Sequence, residues 1–83
     1  MRILYFAWVR ERTGTAEETV TPPDYVDTAA RLADWLSERS AGHAAAFADR
    51  TKLRLAINQE QAFFTDRVAA NDEIAFFPPM TGG

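Results

Sequence analysis

The final eight residues, "FFPPMTGG" (Phe76–Gly83), combine residue types that could present a chain end for chemistry. Pro78 and Pro79 fix φ and donate no backbone hydrogen bond, so they end a strand and favour an extended exit. Gly82 and Gly83 lack a Cβ and can therefore pass through a narrow channel. The pattern predicts that the terminal carboxylate is a reactive group presented to another protein's active site. A frayed terminus is the alternative, because chain ends are usually poorly ordered.

Other candidate chemical groups are few. The sequence has no cysteine and one histidine, which leaves no thiol nucleophile and no zinc site or catalytic triad from this chain alone. His43 follows a glycine, so we expect a solvated loop residue. Acidic residues could meet a cation but are more typical of turns: Asp66, Asp72 and Glu73. Basic residues could guide docking or be scattered surface charge: Arg10, Arg12, Lys52 and Arg54.

The composition is that of one globular domain. The chain has 83 residues, of which 47% are hydrophobic and 25% charged, and its net charge is −3. The negative charge argues against nucleic acid as a partner, because nucleic-acid binders usually carry a basic patch. No apolar run approaches the length of a membrane span, and the N-terminus lacks the features of a signal peptide, so no membrane partner and a cytoplasmic location are expected.

The residue pattern predicts strands before and after a central helix. Residues 27–42 place Ala29, Leu32, Ala33 and Leu36 on one stripe, with Asp27 or Thr28 as the N-cap and Gly42 after the C-terminus. A short helix held by Phe47 follows. Further predicted elements are strands at residues 2–9, 16–21, 53–58, 62–64 and 73–77, a helical turn over residues 10–14, a turn at residues 59–61, and a left-handed Asn71.

This order predicts an α+β domain in which one main helix covers one face of a mixed sheet of about five strands. Residues 1–77 would form the folded domain and residues 78–83 a flexible reactive tail. The uncovered face would hold Phe6, Ala56 and Phe77. An exposed apolar patch of this kind is typical of a binding site, so these three residues are predicted to contact a partner.

The segment "DEIAFFPPMTGG" resembles the C-terminus of the small subunits of molybdopterin synthase, which are ubiquitin-like sulfur carriers. The opening "ILYFAWVRERTG" and the "AIN" before the turn add to the resemblance, which covers nearly the whole chain and implies the β-grasp fold. Asn71 stands where a glycine is common in this family. Gln61 stands where an apolar residue is frequent, which would thin the partner-facing patch.

The resemblance also implies a mechanism. A partner adenylyltransferase related to ubiquitin-activating enzymes uses ATP to convert the Gly83 carboxylate to a glycyl adenylate. A sulfur donor protein then replaces AMP to leave a thiocarboxylate (1-thioglycine). The tail, including Met80 and Thr81, threads into the large synthase subunit, with a heterotetramer expected, and the sulfur passes to cyclic pyranopterin monophosphate. The chain itself would bind no cofactor and no metal.

Two different functions also fit these residues. Related ubiquitin-like carriers serve thiamine synthesis or tRNA thiolation, and others modify proteins; all begin with the same Gly-Gly chemistry. A different class is a β-grasp binding module with an inert tail. Deleting Gly83 would leave such a module unaffected, whereas it would abolish activation of a carrier.

Overall fold

The computed structural model of the chain describes residues 1–79. The elements in chain order are β1 (Arg2–Tyr5), α1 (Ala7–Thr13), β2 (Glu17–Thr19), α2 (Ala29–Ser37), α3 (Ala41–Ala46), a 3₁₀ turn (Arg50–Lys52), β3 (Arg54–Ile57), β4 (Glu60–Ala62) and β5 (Glu73–Phe77).

The five strands form one mixed sheet in the order β2-β1-β5-β3-β4. β1 and β5 run parallel, with Tyr5 opposite Phe76, and the other pairs are antiparallel. β3 runs against β5, which places Arg54 opposite Phe77. The strand β5 is therefore the central one, and its C-terminal end lies beside the end of β1 and the start of β3.

The core lies between one sheet face and the helices. The sheet contributes Ile3, Tyr5, Leu55, Ile74 and Phe76, each at most 1% exposed. The predicted stripe of α2 is confirmed, because Ala29, Leu32, Ala33 and Leu36 are all buried. Burying one large aliphatic side chain contributes about 1.5–3 kcal/mol, so this stripe fixes α2 on the sheet. The predicted α+β arrangement is confirmed, with α2 as the longest of the helices within residues 1–79.

The predicted helix over residues 27–42 is two helices. Thr28 caps α2 by accepting from the backbone N–H of Arg31 at 3.2 Å, but α2 ends at Ser37, and Ser40 then caps α3. The prediction that Gly42 follows a helix terminus was wrong, since it lies inside α3. A Cβ on Gly42 would lie 2.1 Å from the backbone oxygen of Arg12. Glycine is needed there because α1 and α3 approach closely.

The predicted first strand, residues 2–9, is too long. β1 ends at Tyr5, and Ala7, with φ of 52°, turns the chain into α1. This turn lets α1 bury Val9 completely. Gly14 ends α1 with φ of 80° and donates to the Arg10 carbonyl at 2.9 Å, as expected of a glycine in this position.

Two predicted turns also differ. The hairpin between β3 and β4 turns at Asn58 and Gln59, with φ of 51° and 68°, so β4 starts earlier than the predicted residues 62–64. Positive φ at both central residues matches the right-handed twist of a hairpin. Asn71 does not adopt the predicted left-handed conformation. Its loop is closed instead by Asp72, whose carboxylate accepts from the backbone N–H of Ala69 at 2.7 Å.

Candidate functional site: the end of β5 and the open face of the sheet

The C-terminal end of β5 is firmly held by its neighbours. Phe76 is fully buried and packs edge-on against Phe47, with ring centroids 4.9 Å apart. Its ring also stacks on Tyr5 at 6.3 Å. The Phe76 carbonyl accepts from the Phe6 backbone N–H at 3.1 Å, beyond the end of β1. Whatever follows Phe77 therefore starts from a fixed point in the centre of the sheet.

β5 ends at Phe77, where the two prolines begin. Pro78 and Pro79 are both partly exposed, and neither can extend the ladder. Four of the predicted tail residues, Met80, Thr81, Gly82 and Gly83, lie outside the described residues. The structure thus defines where the last strand ends, and the tail over residues 78–83 stays a prediction.

The sheet face turned away from the helices is the open face. It carries the alternate residues of the strands, including Leu4, Ala56, Ala75 and Phe77, all of which are partly exposed. Phe6 follows β1 rather than lying within a strand, and it is 49% exposed. The three predicted partner-contact residues, Phe6, Ala56 and Phe77, are therefore all accessible to some degree, and their contact with a partner stays a prediction.

A groove of about 440 Å³ lies on the open face beside the end of β5. Residues from β3, β4 and β5 and their flanks line it: Arg54, Ala56, Gln59, Gln61, Phe77 and Pro79. Gln61 is opposite Ala56 in the β3–β4 pair, so its amide lies in the groove and reduces the apolar area, as the sequence suggested. Arg54, considered above as a docking residue or a surface charge, lies in this groove because the two-residue alternation of β3 places it on the same face as Ala56.

The structure places His43 in a buried network instead of a loop. His43 is 6% exposed within α3, and its ring nitrogens lie 2.7 Å from Ser40 Oγ and 2.7 Å from Glu18 Oε2. The Tyr5 hydroxyl donates to Glu18 Oε2 at 2.7 Å, and Arg39 Nε donates to Glu18 Oε1 at 3.0 Å. The prediction of a solvated histidine was wrong because Glu18, 25 residues earlier, supplies a hydrogen-bond acceptor beside the ring.

The charges in this network hold it together. Burial raises the pKa of Glu18, but hydrogen bonds from His43 and Tyr5, together with the Arg39 charge, lower that pKa by more, so the carboxylate stays ionised. Burial and the Glu18 hydrogen bond raise the pKa of Tyr5, which keeps its hydroxyl a donor. The hydrogen bonds connect a serine, a histidine and a carboxylate in the order found in a hydrolase triad: Ser40, His43 and Glu18. Ser40 Oγ, however, accepts the His43 backbone N–H at 3.1 Å as a helix cap, which indicates a structural role.

The described part of the chain offers little else for chemistry. Within residues 1–79, no group of three or more histidine, cysteine or acidic residues could hold a metal ion. Asp66 and Asp72, considered above as cation contacts, each accept a backbone N–H in a turn. Among the same residues, no helix has the length and apolar character required to span a membrane.

Comparison with known proteins supports the resemblance seen in the sequence. A family model described as the ThiS family matches residues 3–83. The chain belongs to the ThiS family. Three similar proteins, each named "Molybdopterin synthase sulfur carrier subunit", come from Escherichia coli (strain K12), Haemophilus influenzae (strain ATCC 51907 / DSM 11121 / KW20 / Rd) and Chlamydomonas reinhardtii. They are 39%, 36% and 34% identical to this ThiS-family chain over 100% of its length, and the alignments cover 99%, 99% and 98% of theirs.

Solved structures agree on the fold of this ThiS-family chain. SAMP1 from Haloferax volcanii superposes with a TM-score of 0.72 at 28% identity, covering 100% of this chain and 98% of that one. A structure of H. volcanii small archaeal modifier protein 1 gives a TM-score of 0.67 at 22% identity, with coverage of 96% and 97%. These ubiquitin-like neighbours and the five-stranded mixed sheet confirm the predicted α+β, β-grasp fold.

Proposed function

We propose that this chain is the sulfur carrier subunit of a molybdopterin synthase and that the Gly83 carboxylate carries the sulfur. The observation that carries the proposal is the similarity, over the whole chain, to relatives named for that role. The position of the last strand supports it, because the segment leading to Gly83 starts at the end of the buried central strand. Because the tail follows a rigidly held strand, it samples a smaller volume, which lowers the entropic cost of binding to another protein.

The chemistry needs activation, because a carboxylate is a poor electrophile. An adenylyltransferase partner catalyses attack of the Gly83 carboxylate on the α-phosphate of ATP, which releases pyrophosphate and leaves an acyl-adenylate with AMP as a good leaving group. A sulfur donor protein then displaces AMP, and the product is a thiocarboxylate, a soft anionic nucleophile. It does the work of a cysteine persulfide, which this chain cannot form because it has no cysteine.

The large subunit of the synthase is the partner that receives the tail. There the thiocarboxylate gives its sulfur to cyclic pyranopterin monophosphate, in a reaction expected in the cytoplasm. The catalytic residues, ATP and any metal belong to the partner proteins. Pro78 and Pro79 direct the tail, Met80 and Thr81 contact the channel, and Gly82 lets the channel narrow around the backbone.

The open face is the proposed docking surface for these partners. Phe6 is 49% exposed, and Phe77 and Ala56 line the groove from which the tail leaves. A partner seated on this face would bury the apolar side chains and receive the tail in the same step. The polar residues Arg54 and Gln61 at the groove would then set the orientation of the partner.

The length of the tail is the first experimental test. Deleting Gly83 leaves the terminal carboxylate on Gly82, one residue short of its position, without touching the folded domain, so pterin sulfuration by the reconstituted synthase should be lost while thermal unfolding is unchanged. Adding one alanine after Gly83 should have the same effect, because the chain would then end on a displaced carboxylate that does not fit the adenylation site. Full activity of either variant would contradict the proposal.

A protein modifier is the second candidate function, and the similarity to SAMP1 at 28% identity favours it. Both functions begin with adenylation of Gly83, and they differ in the acceptor. A modifier forms isopeptide bonds with lysines of other proteins, whereas a carrier passes sulfur to the pterin that molybdoenzymes need for activity. Deleting the gene in its host and assaying both molybdoenzyme activity and Gly83-linked conjugates would separate the two.

A further inference from the structure

The basic residues of this chain divide into two groups by their partners. Five arginines form ion pairs with acidic side chains: Arg2, Arg31, Arg39, Arg50 and Arg67. The other four basic residues have no acidic group within 4.0 Å among residues 1–79: Arg10, Arg12, Lys52 and Arg54. Their positive charges are therefore not neutralised by a close ion pair in the part of the chain that the structure describes.

All four of these basic residues, which we call the basic surface, lie at one end of the sheet. Arg54 begins β3 opposite Phe77, the last residue of β5, and Lys52 lies two residues earlier. On the other side of β5, β1 runs parallel to it and leads into α1, which carries Arg10 and Arg12. The start of β2 pairs with the end of β1, so α1 connects two strands at this same end. Two basic residues thus flank each side of the end of β5.

The side chains of the basic surface belong to residues that are all exposed to solvent. Arg54 Nη1 donates to the Leu53 carbonyl at 2.9 Å, and the Arg12 guanidinium lies 5.2 Å from the centre of the Trp8 ring. Neither contact neutralises the positive charge, but each restrains the side chain that carries it. A restrained side chain loses less conformational entropy when a partner binds.

The positive charge at this end is local, because the whole chain has a net charge of −3. The two segments that hold the basic surface, residues 6–16 and 49–54, contain five basic residues and only two acidic ones, Glu11 and Asp49. The other acidic residues of the chain lie outside these segments. A negatively charged partner would therefore be attracted to this end of the sheet and repelled by the rest of the molecule, which orients its approach.

The basic surface borders the apolar part of the open face. Arg54 lines the groove of about 440 Å³ together with Ala56 and Phe77. Arg10 lies one helical turn after Phe6, which is 49% exposed. Apolar residues bordered by charged ones are typical of a protein–protein interface. A protein therefore suits this surface better than a nucleic acid, which the net charge of −3 would repel.

We propose that the basic surface docks onto an acidic surface of a partner protein. Aspartate and glutamate side chains of the partner lie opposite the four basic side chains, and apolar side chains of the partner enter the groove. This inference rests on the proposed function for the identity of the partners, and it adds the charge that they present around the end of β5. The charge pairs raise the association rate and fix the orientation of the bound chain.

Binding of a short acidic peptide tests the basic surface without any partner protein. The ¹⁵N-labelled chain is titrated with end-blocked hexaglutamate, and its backbone amide shifts are followed by NMR. The largest shifts should fall in residues 10–12 and 52–54. The affinity should fall at least about fivefold when the salt concentration is raised from about 20 mM to about 200 mM, because salt screens exposed charges.

Two double variants of equal net charge show whether the position of the charge matters. Arg10→Gln with Arg54→Gln removes one basic residue from each side of β5. Arg31→Gln with Arg67→Gln removes two exposed arginines that both pair with Asp27. The first double variant should bind hexaglutamate at least about fivefold more weakly than the native chain, and the second less than about twofold more weakly. Thermal unfolding shows that both variants are folded.

Three results of the peptide titration would overturn the proposal. Equal weakening in the two double variants would mean that only the net charge matters. Largest shifts outside residues 10–12 and 52–54 would place the binding elsewhere. Tripolyphosphate that binds the same residues at least about tenfold more tightly than hexaglutamate would identify a phosphate site instead of a protein-docking surface.

The same two variants test the basic surface in the complex. At low salt, the association rate with the large synthase subunit should fall at least about fivefold for Arg10→Gln with Arg54→Gln, and less than about twofold for the control pair. Equal association rates for the two variants would also overturn the proposal. If the native chain does not bind the large subunit at all, that result counts against the proposed function, whereas the hexaglutamate titration still decides whether the basic surface selects carboxylates.

Discussion

At the scale of single residues, Gly42 shows why a small side chain is required in a helix. Its added Cβ would lie 2.1 Å from the Arg12 carbonyl oxygen, a backbone atom of α1 that cannot rotate away. Gly42→Ala should therefore lower the free energy of unfolding by about 1–3 kcal/mol, the usual range for overpacking. Urea unfolding measures this. Ala45→Ser, at an exposed position of the same helix, should change stability by under about 0.5 kcal/mol. If the Gly42→Ala variant were as stable as the native protein, this would contradict the close packing of α1 against α3 at Gly42.

Glu18 is the residue that links stability to pH. Its pKa in the folded protein lies below the value of about 4.3 that a free glutamate has, so its ionisation stabilises the fold above that pH. This stabilisation is lost as the pH falls through the folded pKa. Glu18→Gln should therefore unfold at lower urea than the native protein at pH 7, and the gap should narrow below about pH 4. Glu11→Gln, on the exposed surface of α1, serves as the control. A gap that stays constant from pH 7 to pH 3 would count against the network.

At the scale of elements, the sequence predicted the helices and strands whose own side-chain pattern is sufficient to decide their structure. The stripe of α2 and the alternation of β5 are both as expected, with Ile74 and Phe76 buried and Ala75 and Phe77 only partly so. The change from β1 to α1 was missed because Trp8 and Val9 suit a strand as well as a helix. The choice is made by tertiary packing, since the helix places Val9 in the core while Ala7 accepts a left-handed conformation that alanine rarely adopts.

The sequence likewise predicted only those parts of the candidate site that follow from the pattern of a single strand. The strand alternation in β5 and β3 placed Phe77 and Ala56 on the open face, and the prolines located the end of β5. The neighbours across the sheet were not predictable, because which strand flanks β5 depends on long-range pairing. The partnership of His43 with Glu18 was missed for the same reason.

The two phenylalanines at the end of β5 allow a matched pair of variants. Phe76 is fully buried, so Phe76→Ala should cost about 3–5 kcal/mol of unfolding free energy. Phe77→Ala, on the open face, should cost clearly less stability but weaken binding to the large synthase subunit at least tenfold. Phe6→Ala should behave like Phe77→Ala. Chemical unfolding and a binding titration give the two readouts. Equal losses of stability in Phe76→Ala and Phe77→Ala would place Phe77 in the core and remove it from the docking face.

At the scale of the whole molecule, the proposed function assigns the chemistry to the end of a folded domain. The sheet holds the end of β5 at its centre, and the open face beside it offers a groove and exposed apolar side chains. Catalytic groups are expected on the partners, which the open face is proposed to recruit. The folded domain would therefore position the tail on the partner, and Gly83 would supply the reactive carboxylate.

The most direct test of this central claim is the mass of the C-terminal peptide after activation. The chain is incubated with its adenylyltransferase, ATP and a sulfur source, and the peptide ending in Gly83 is analysed by mass spectrometry. Exchange of one oxygen for sulfur should add about 16 Da to that peptide and to no other. The same mixture without ATP should show no change. An unshifted C-terminal peptide in the complete mixture, with AMP released, would contradict the claim that Gly83 carries sulfur.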